Sequence, residues 1–230
     1  MAEKEQVRFM FNNIAHRYDF LNHFLSLGID ILWRKKAISI LRKSNPKTIL
    51  DIATGTGDFA IESLSLHPEK VVGIDISDKM LEVGRVKLKK KKLENRIELI
   101  VGDSENLPFP NNTFDAIIVG FGVRNFENLE KGLSEMHRVL NSGGTVAVLE
   151  FSKPVLFPVK QLYYFYFFRI LPLVGKIISK DSSAYTYLPE SVKEFPDGIS
   201  FLNILSEIGF KQPKCIPLTF GIASIYIGKK

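Results

Sequence analysis

Thr48-Ile49-Leu50-Asp51-Ile52-Ala53-Thr54-Gly55-Thr56-Gly57-Asp58 decides how the rest of the chain is read. Thr48–Ile52 is a short β-branched run that reads as a strand, a glycine turn follows, and a helix is predicted near Phe59–Leu66. Glycines at such a turn let the backbone approach a ligand closely, and the helix behind them offers free N–H groups. Gly55-x-Gly57-x-x-Ala60 also fits a dinucleotide fingerprint, so the turn alone leaves a dinucleotide, a different ligand and an empty tight turn open.

Working outward, strands and helices alternate. Lys70–Ile74 reads as a second strand ending at Asp75, Ser77 as the N-cap of a helix through Lys90, and Ile97–Val101 and Phe114–Val119 as strands three and four. A helix over Leu129–Leu140 is expected to close at Ser142-Gly143-Gly144, and Thr145–Phe151 is a fifth strand. Repeated strand–helix units imply a doubly wound α/β fold with a mostly parallel sheet and ligands at the carboxyl ends of its strands. Before this region the first 45 residues read as helical, on Val7, Met10, Phe11, Ile14, Tyr18 and then Ile31, Leu32, Ala37, Ile38, Leu41, up to Pro46. After it, Leu156–Val174 is rich in aromatics and Ile199–Ile208 is helical. Lys214–Leu218 and Ile222–Ile227 form a closing antiparallel hairpin, because so short a connection cannot make a parallel crossover. With the hairpin the sheet has seven strands. The 230 residues are read as one domain: a helical cap over 1–45, a cofactor-binding core over 46–152, an aromatic substrate- or lipid-facing insertion over 153–198, and a terminal helix and hairpin over 199–230.

Acids mark the strand ends. Asp51 lies four residues before Gly55, where a carboxylate suits a cationic group such as the amino group of a methionine moiety and repels a pyrophosphate. Asp75 can accept from two ribose hydroxyls, which fits NAD and S-adenosyl-L-methionine equally, or can serve as a plain acid at a helix N-terminus. In Gly102-Asp103-Ser104-Glu105-Asn106-Leu107-Pro108-Phe109, Asp103 can accept from an exocyclic amine while apolar neighbours sandwich a purine; a surface turn is the plain reading. Three acidic strand ends in succession favour a ligand over accident.

The order Asp51…Gly55-Thr56-Gly57, Asp75, Gly102-Asp103, Arg138-Val139-Leu140-x-x-Gly143-Gly144 resembles class I S-adenosylmethionine methyltransferases, which are Rossmann-like. The chain further resembles the menaquinone/ubiquinone biosynthesis C-methyltransferases, known as UbiE. The segments that carry this likeness are Ile14-Ala15-x-Arg17-Tyr18-Asp19, Trp33-Arg34, Phe121-Gly122-Val123-Arg124-Asn125, Leu149-Glu150-Phe151-Ser152-x-Pro154 and Tyr185-x-Tyr187-Leu188-x-Glu190-Ser191. They run from about residue 9 onward. The resemblance implies S-adenosyl-L-methionine as cofactor, with contacts at Thr56, Asp75, Asp103 and Ser104, and a polyprenylated quinol as substrate. Thr54 stands where many members carry Gly or Cys, and Asp103-Ser104 where Asn-Ala or Asp-Ala is usual. A sulfonium methyl needs an electron-rich acceptor, so the reduced ring is the expected substrate, and its ring C–H must lose a proton to some base. Arg124 is always protonated and is therefore a poor base. As catalytic candidates, Arg124 would stabilise a quinolate oxygen or orient a water, and Asn125 would donate to the same oxygen; an Arg124 paired with a carboxylate to hold its loop is the plain alternative.

Other signals bound the reading. A single cysteine, Cys215, excludes an internal disulfide and a cysteine zinc site. No uncharged apolar run of about 18 residues exists, and the first residues lack a secretory h-region, so a cytoplasmic protein is expected, with peripheral membrane contact and a homo-oligomer left open. The net charge of +6 carries no aromatic or motif support for nucleic acid. Lys87 and Lys89–Lys92 read as the solvated end of a helix. Among the histidines, His67 and His137 read as structural or solvated, whereas His16 and His23 lie in a region able to cover the site. Tyr18, Tyr185 and Tyr187 fit a pocket wall or the core equally. Of the 18 phenylalanines, four fall within Leu156–Val174, and the aromatic run Tyr163–Phe168 there reads as a buried helix, a polyprenyl tunnel, or a membrane-facing patch rimmed by Lys160, Arg169, Lys176 and Lys180. An NAD-dependent oxidoreductase and a non-enzymatic cofactor-binding subunit are the rival classes.

Overall fold

The computed structural model describes residues 3–170 and 183–230. Leu171, Val174, Lys176 and Lys180, which belong to the aromatic segment and its basic rim, lie outside the described residues, as does the side chain of Tyr185.

Seven strands form one sheet in the order β3-β2-β1-β4-β5-β7-β6. β1 (Thr48–Ile52) pairs in parallel with β2 (Lys70–Asp75) and β4 (Phe114–Gly120). β2 continues to β3 (Ile97–Val101), and β4 to β5 (Leu140–Phe151). β7 (Ala223–Lys229) is antiparallel to both β5 and β6 (Lys211–Leu218), so the expected hairpin is present.

The central strands are buried on both faces, which is why they read as continuous apolar runs rather than alternating ones. Successive side chains still point to opposite sides. Leu50, Ile52, Ile117 and Val119 pack under α5 (Leu129–Val139) and α8 (Ile199–Ile208), through Leu133, Met136, Phe201 and Leu205. Ile49 and Ile118 pack on the other face under α2 (Ile29–Leu41) and α4 (Asp78–Lys91), through Ile38, Leu41, Leu81 and Leu88. The Ser77 hydroxyl caps α4 by accepting from the amide of Met80 at 3.2 Å. α1 (Lys4–Leu25) crosses the carboxyl edge of the sheet, α3 (Asp58–Ser63) follows the glycine turn, and α6 (Val159–Phe165) and α7 (Ser183–Glu194) come from the aromatic region.

Two expectations are corrected. α5 stops at Val139 and Leu140 is already extended, so Gly143 and Gly144 do not close the helix. They sit in an irregularity of β5, where Phe114 pairs with Leu140 but Ala116 pairs with Thr145, and Gly143 takes a φ of +81°. In α2, Ile31 and Leu32 are exposed rather than inward-facing; Trp33, Ala37, Ile38 and Leu41 form the buried stripe.

Gly84 shows how tightly α4 lies on the glycine turn. A Cβ there would meet Leu99 Cδ1 at 2.9 Å and the backbone oxygen of Thr56 at 3.1 Å. In an open helix, Gly→Ala stabilises by about 1 kcal/mol; here overpacking against backbone, typically about 1–3 kcal/mol, opposes that gain. Gly84→Ala is therefore expected to lower stability by roughly 1 kcal/mol in urea denaturation; a variant more stable than the parent would contradict the packing described.

Candidate active site

At the carboxyl ends of β1, β2 and β3 lies a cleft bordered by Gly55, Asp75, Asp103 and Ser104, with Lys4, Val7 and Tyr18 of α1 as its outer wall. A neighbouring recess at the start of α3 is lined by Asp51, Thr54, Gly55, Thr56 and Asp58. The turn joining them needs its glycines: Gly55 and Gly57 have φ of +57° and +85°. Gly57 lines neither space and serves as the residue before α3.

The acids are held in different ways. Asp51 is fully buried; its Oδ2 accepts from the Thr54 hydroxyl at 2.6 Å, and its Oδ1 has no hydrogen-bond partner among the described residues. Burial pushes its carboxyl up to about 7, against a smaller opposing pull from the Thr54 hydroxyl. Asp75 accepts the amide of Gly55 on Oδ2 at 2.7 Å and that of Ser77 on Oδ1 at 2.8 Å; burial raises it and these amides resist the rise. Asp103 accepts from Lys4 Nζ at 2.8 Å, and this bond raises the Lys4 ammonium. Glu105, two residues on, is buried and accepts the amides of Glu127 and Asn128.

Thr56 belongs to a charged cluster that the sequence did not reveal. Its hydroxyl donates to Asp19 of α1 and accepts from Lys87 Nζ at 2.8 Å. Lys87 also pairs with Asp19 at 2.6 Å and Asp58 at 2.7 Å. Lys87 is thus not part of a solvated lysine run; only Lys89–Lys92 point to solvent. His23 joins the same region, with Nδ1 at 2.8 Å from Asp30 and Nε2 at 3.5 Å from Asp58. His16 and His67 are exposed, and His137 packs edge-on against Phe210.

Arg124 and Asn125 form a short helical turn after β4. Arg124 Nη1 donates to Glu150 Oε1 at 2.7 Å and to the Phe121 carbonyl. The pairing with a carboxylate, set beside a catalytic role in the sequence, is present. Glu150 is completely buried, and burial raises its carboxyl while the Arg124 guanidinium holds it down. An acid inside the apolar run of β5 was the available signal for it. Asn125 Oδ1 accepts from the Tyr187 hydroxyl at 3.0 Å.

Beyond Arg124 opens a cavity of about 620 Å³ walled mainly by Trp33, Phe121, Phe151, Tyr163, Phe167 and Ile222. Phe121 and Phe151 lie 4.6 Å apart and Tyr163 stacks on Phe167 at 4.3 Å. Tyr18 and Phe121 border the cleft, the recess and this cavity alike, so the three spaces meet at these two rings. The aromatic segment does two things at once: Tyr163 and Phe167 are buried in the wall, while Leu156, Phe157, Leu162 and Phe165 are exposed.

The model of the ubiE/COQ5 methyltransferase family matches residues 1–230. The chain belongs to this family. A demethylmenaquinone methyltransferase of Bacteroides fragilis is 51% identical over 229 residues, covering 99% of this chain and 94% of the relative. A ubiquinone/menaquinone biosynthesis C-methyltransferase UbiE of a Geobacter species (strain M21) is 47% identical over 233 residues, covering 100% and 99%. Among solved structures, a putative S-adenosyl-L-methionine-dependent methyltransferase of Methanococcus maripaludis superposes with a TM-score of 0.68 at 22% identity, covering 100% of this chain and 96% of that one. At that identity the likeness speaks for the fold.

Asp51 gives this methyltransferase a measurable signature. Its folded-state carboxyl is raised from 3.8 to about 7, so its contribution to stability is complete below the unfolded value and is lost as pH rises through about 7. The loss is bounded at about 4 kcal/mol, and Asp75 and Glu150 add in the same sense. Asp51→Asn is expected to flatten the fall in stability of ligand-free protein between pH 4.5 and 7.5, as read by urea denaturation; parallel curves for variant and parent would count against the assignment.

Proposed function

We propose that the chain transfers a methyl group from S-adenosyl-L-methionine to a ring carbon of a polyprenylated quinol, converting demethylmenaquinol to menaquinol or acting at the equivalent step toward ubiquinone. The observation that carries this reading is the junction at Tyr18 and Phe121, where an acid-lined cleft meets a large apolar cavity. The names of the relatives agree with it.

The residues present fit the cofactor. The unpartnered Oδ1 of Asp51 suits its ammonium group, and a buried carboxylate left alone otherwise carries a desolvation penalty. Each Asp75 oxygen holds one amide and keeps lone pairs for ribose hydroxyls. Asp103 and Ser104 lie where an exocyclic amine and a purine face would be met, and Thr56, Gly55 and Gly57 shape the turn between the two ends. When bound, S-adenosyl-L-methionine supplies a methyl on a sulfonium, an electrophile that requires an electron-rich carbon. A quinol ring is electron-rich and a quinone ring is not. Arg124 lines the cavity and its fixed positive charge would stabilise a quinolate oxygen, with the Asn125 amide aimed by Tyr187. The aromatic walls hold the ring in place, and positioning is worth several kcal/mol in such a transfer.

The tail would occupy the 620 Å³ cavity. Leu27, Leu156, Phe157, Leu162 and Phe220 are exposed on the segments that form its walls, and Lys160 and Arg169 are exposed on the same aromatic segment as Leu156–Leu162. That combination suits contact with an anionic bilayer surface from which the quinol is drawn. No helix among the described residues is long and apolar enough to cross a membrane.

Methyl transfer from labelled cofactor should mark the ring carbon of demethylmenaquinol, of a demethylated ubiquinol precursor, or of both, and only when they are reduced; label on the oxidised forms, or on neither quinol, would overturn the proposal. Removing the tail is expected to raise KM by roughly tenfold or more with kcat nearly kept, since each buried CH2 contributes about 0.8 kcal/mol. In vesicle flotation with anionic lipid, Leu27→Asp/Phe157→Asp should release the protein from the membrane fraction, and undiminished flotation would remove the bilayer contact from the proposal.

A further inference from the structure

A second cavity of about 320 Å³ lies against Arg124, and its character is different. Its polar lining is Gln6, Glu190, Ser191 and Glu194 with Arg124 and Tyr187, and four apolar side chains complete it. Glu190 and Glu194 are one turn apart on α7 and share a face. Both are exposed, so they join the cavity to solvent. Arg124 and Tyr187 line this cavity and the apolar one, and so stand between them.

The wall itself asks for water. The Arg124 side chain is only 7% exposed, its Nη1 is taken by Glu150 and Phe121, and its Nε is buried without an acceptor among the described residues. A bare buried donor is unfavourable. A water that reaches Nε would remove that penalty, and Gln6, Glu190 and Glu194 give water in this cavity polar partners.

The reaction needs an exit for one proton, and the buried carboxylates nearest the apolar cavity are already hydrogen-bonded. Arg124 stays protonated. Glu150 Oε1 accepts from Arg124 and from the amide of Phe151. Asp30 is held by Ser26, His23 and Arg34. We propose that the polar cavity is the proton outlet of methyl transfer, with water behind Arg124 and Tyr187 passing the ring proton to Glu190 and Glu194 and on to solvent. This rests on the quinol reading above. As the ring carbon bonds to the methyl, the methyl–sulfur bond would break with its electron pair left on a neutral thioether, and the ring carbon becomes tetrahedral; its C–H bond then breaks, that electron pair returns to the ring, and the proton crosses to a glutamate carboxylate. One proton is released per methyl transferred.

The test uses the full chain with reduced demethylmenaquinol carrying hydrogen or deuterium at the accepting carbon, comparing the parent, Glu190→Gln/Glu194→Gln, and Glu207→Gln as a charge control on an exposed helix face. The double variant should lose on the order of tenfold to a hundredfold in kcat, the lower part of the range for general acid–base catalysis. Its KM for the quinol should stay unchanged, its deuterium effect should exceed the parent's, and added formate should restore turnover. A double variant matching the parent in kcat and deuterium effect overturns the outlet, as does a loss that neither enlarges the isotope effect nor responds to formate. Absence of methyl transfer in the parent and in Glu207→Gln is a separate result: it overturns the quinol reading and the outlet with it.

Discussion

Parallel pairing sets the problem that the rest of the molecule solves. With β1, β2 and β3 in parallel register, Asp51 and Asp75 emerge at one edge, Asp103 follows directly, and Glu150 arrives there on β5. Four carboxylates at one edge, three of them at strand ends and the fourth inside β5, would repel one another and lose hydration. Each is accommodated differently. Asp51 tends to hold its proton, Asp75 is cradled by amides, Asp103 faces an ammonium, and Glu150 faces a guanidinium. A site of this kind favours a ligand with cationic and hydrogen-donating groups, because such a ligand supplies what the protein leaves unfinished at Asp51.

α1 supplies much of the compensation. Lys4 reaches Asp103, Asn12 Oδ1 accepts from the Ser77 hydroxyl, and Asp19 meets Thr56 and Lys87. Between these polar points Val7 and Met10 are buried. The polar contacts lie at partly exposed side chains, where ion pairs are worth about 1 kcal/mol or less. The helix is therefore seated by its apolar stripe and placed in register by charge.

The strands were legible because β-branched and apolar runs end at acids and glycines, and Thr48–Ile52 and Ile97–Val101 agree with the structure residue for residue. The Ser77 cap was legible because its chemistry is local. What escaped the sequence is nonlocal. Nothing near Lys87 shows that Asp19, far away on α1, neutralises it, and nothing in the spacing of Arg124 and Glu150 shows that they meet. Gly143 and Gly144 look like a helix stop because glycine serves both a helix end and a strand irregularity, and the ladder to β4 chose the latter. The aromatic run defeated a single reading because its residues divide between a cavity wall and an exposed surface.

The strand order also constrains how the sheet can be assembled. β6 precedes β7 in the chain, yet its one neighbour in the sheet is β7, which itself lies between β6 and β5. β6 therefore has nothing to pair with until β7 has been made, and the hairpin must join β5 as a unit or strand by strand from the inside out. Until then β5 is an open edge carrying the apolar run Val146–Leu149, a template for another chain's strand. Nascent molecules that have completed β5 but not β7 are accordingly the species most exposed to misassociation, and their protection falls to whatever binds unfinished chains during synthesis.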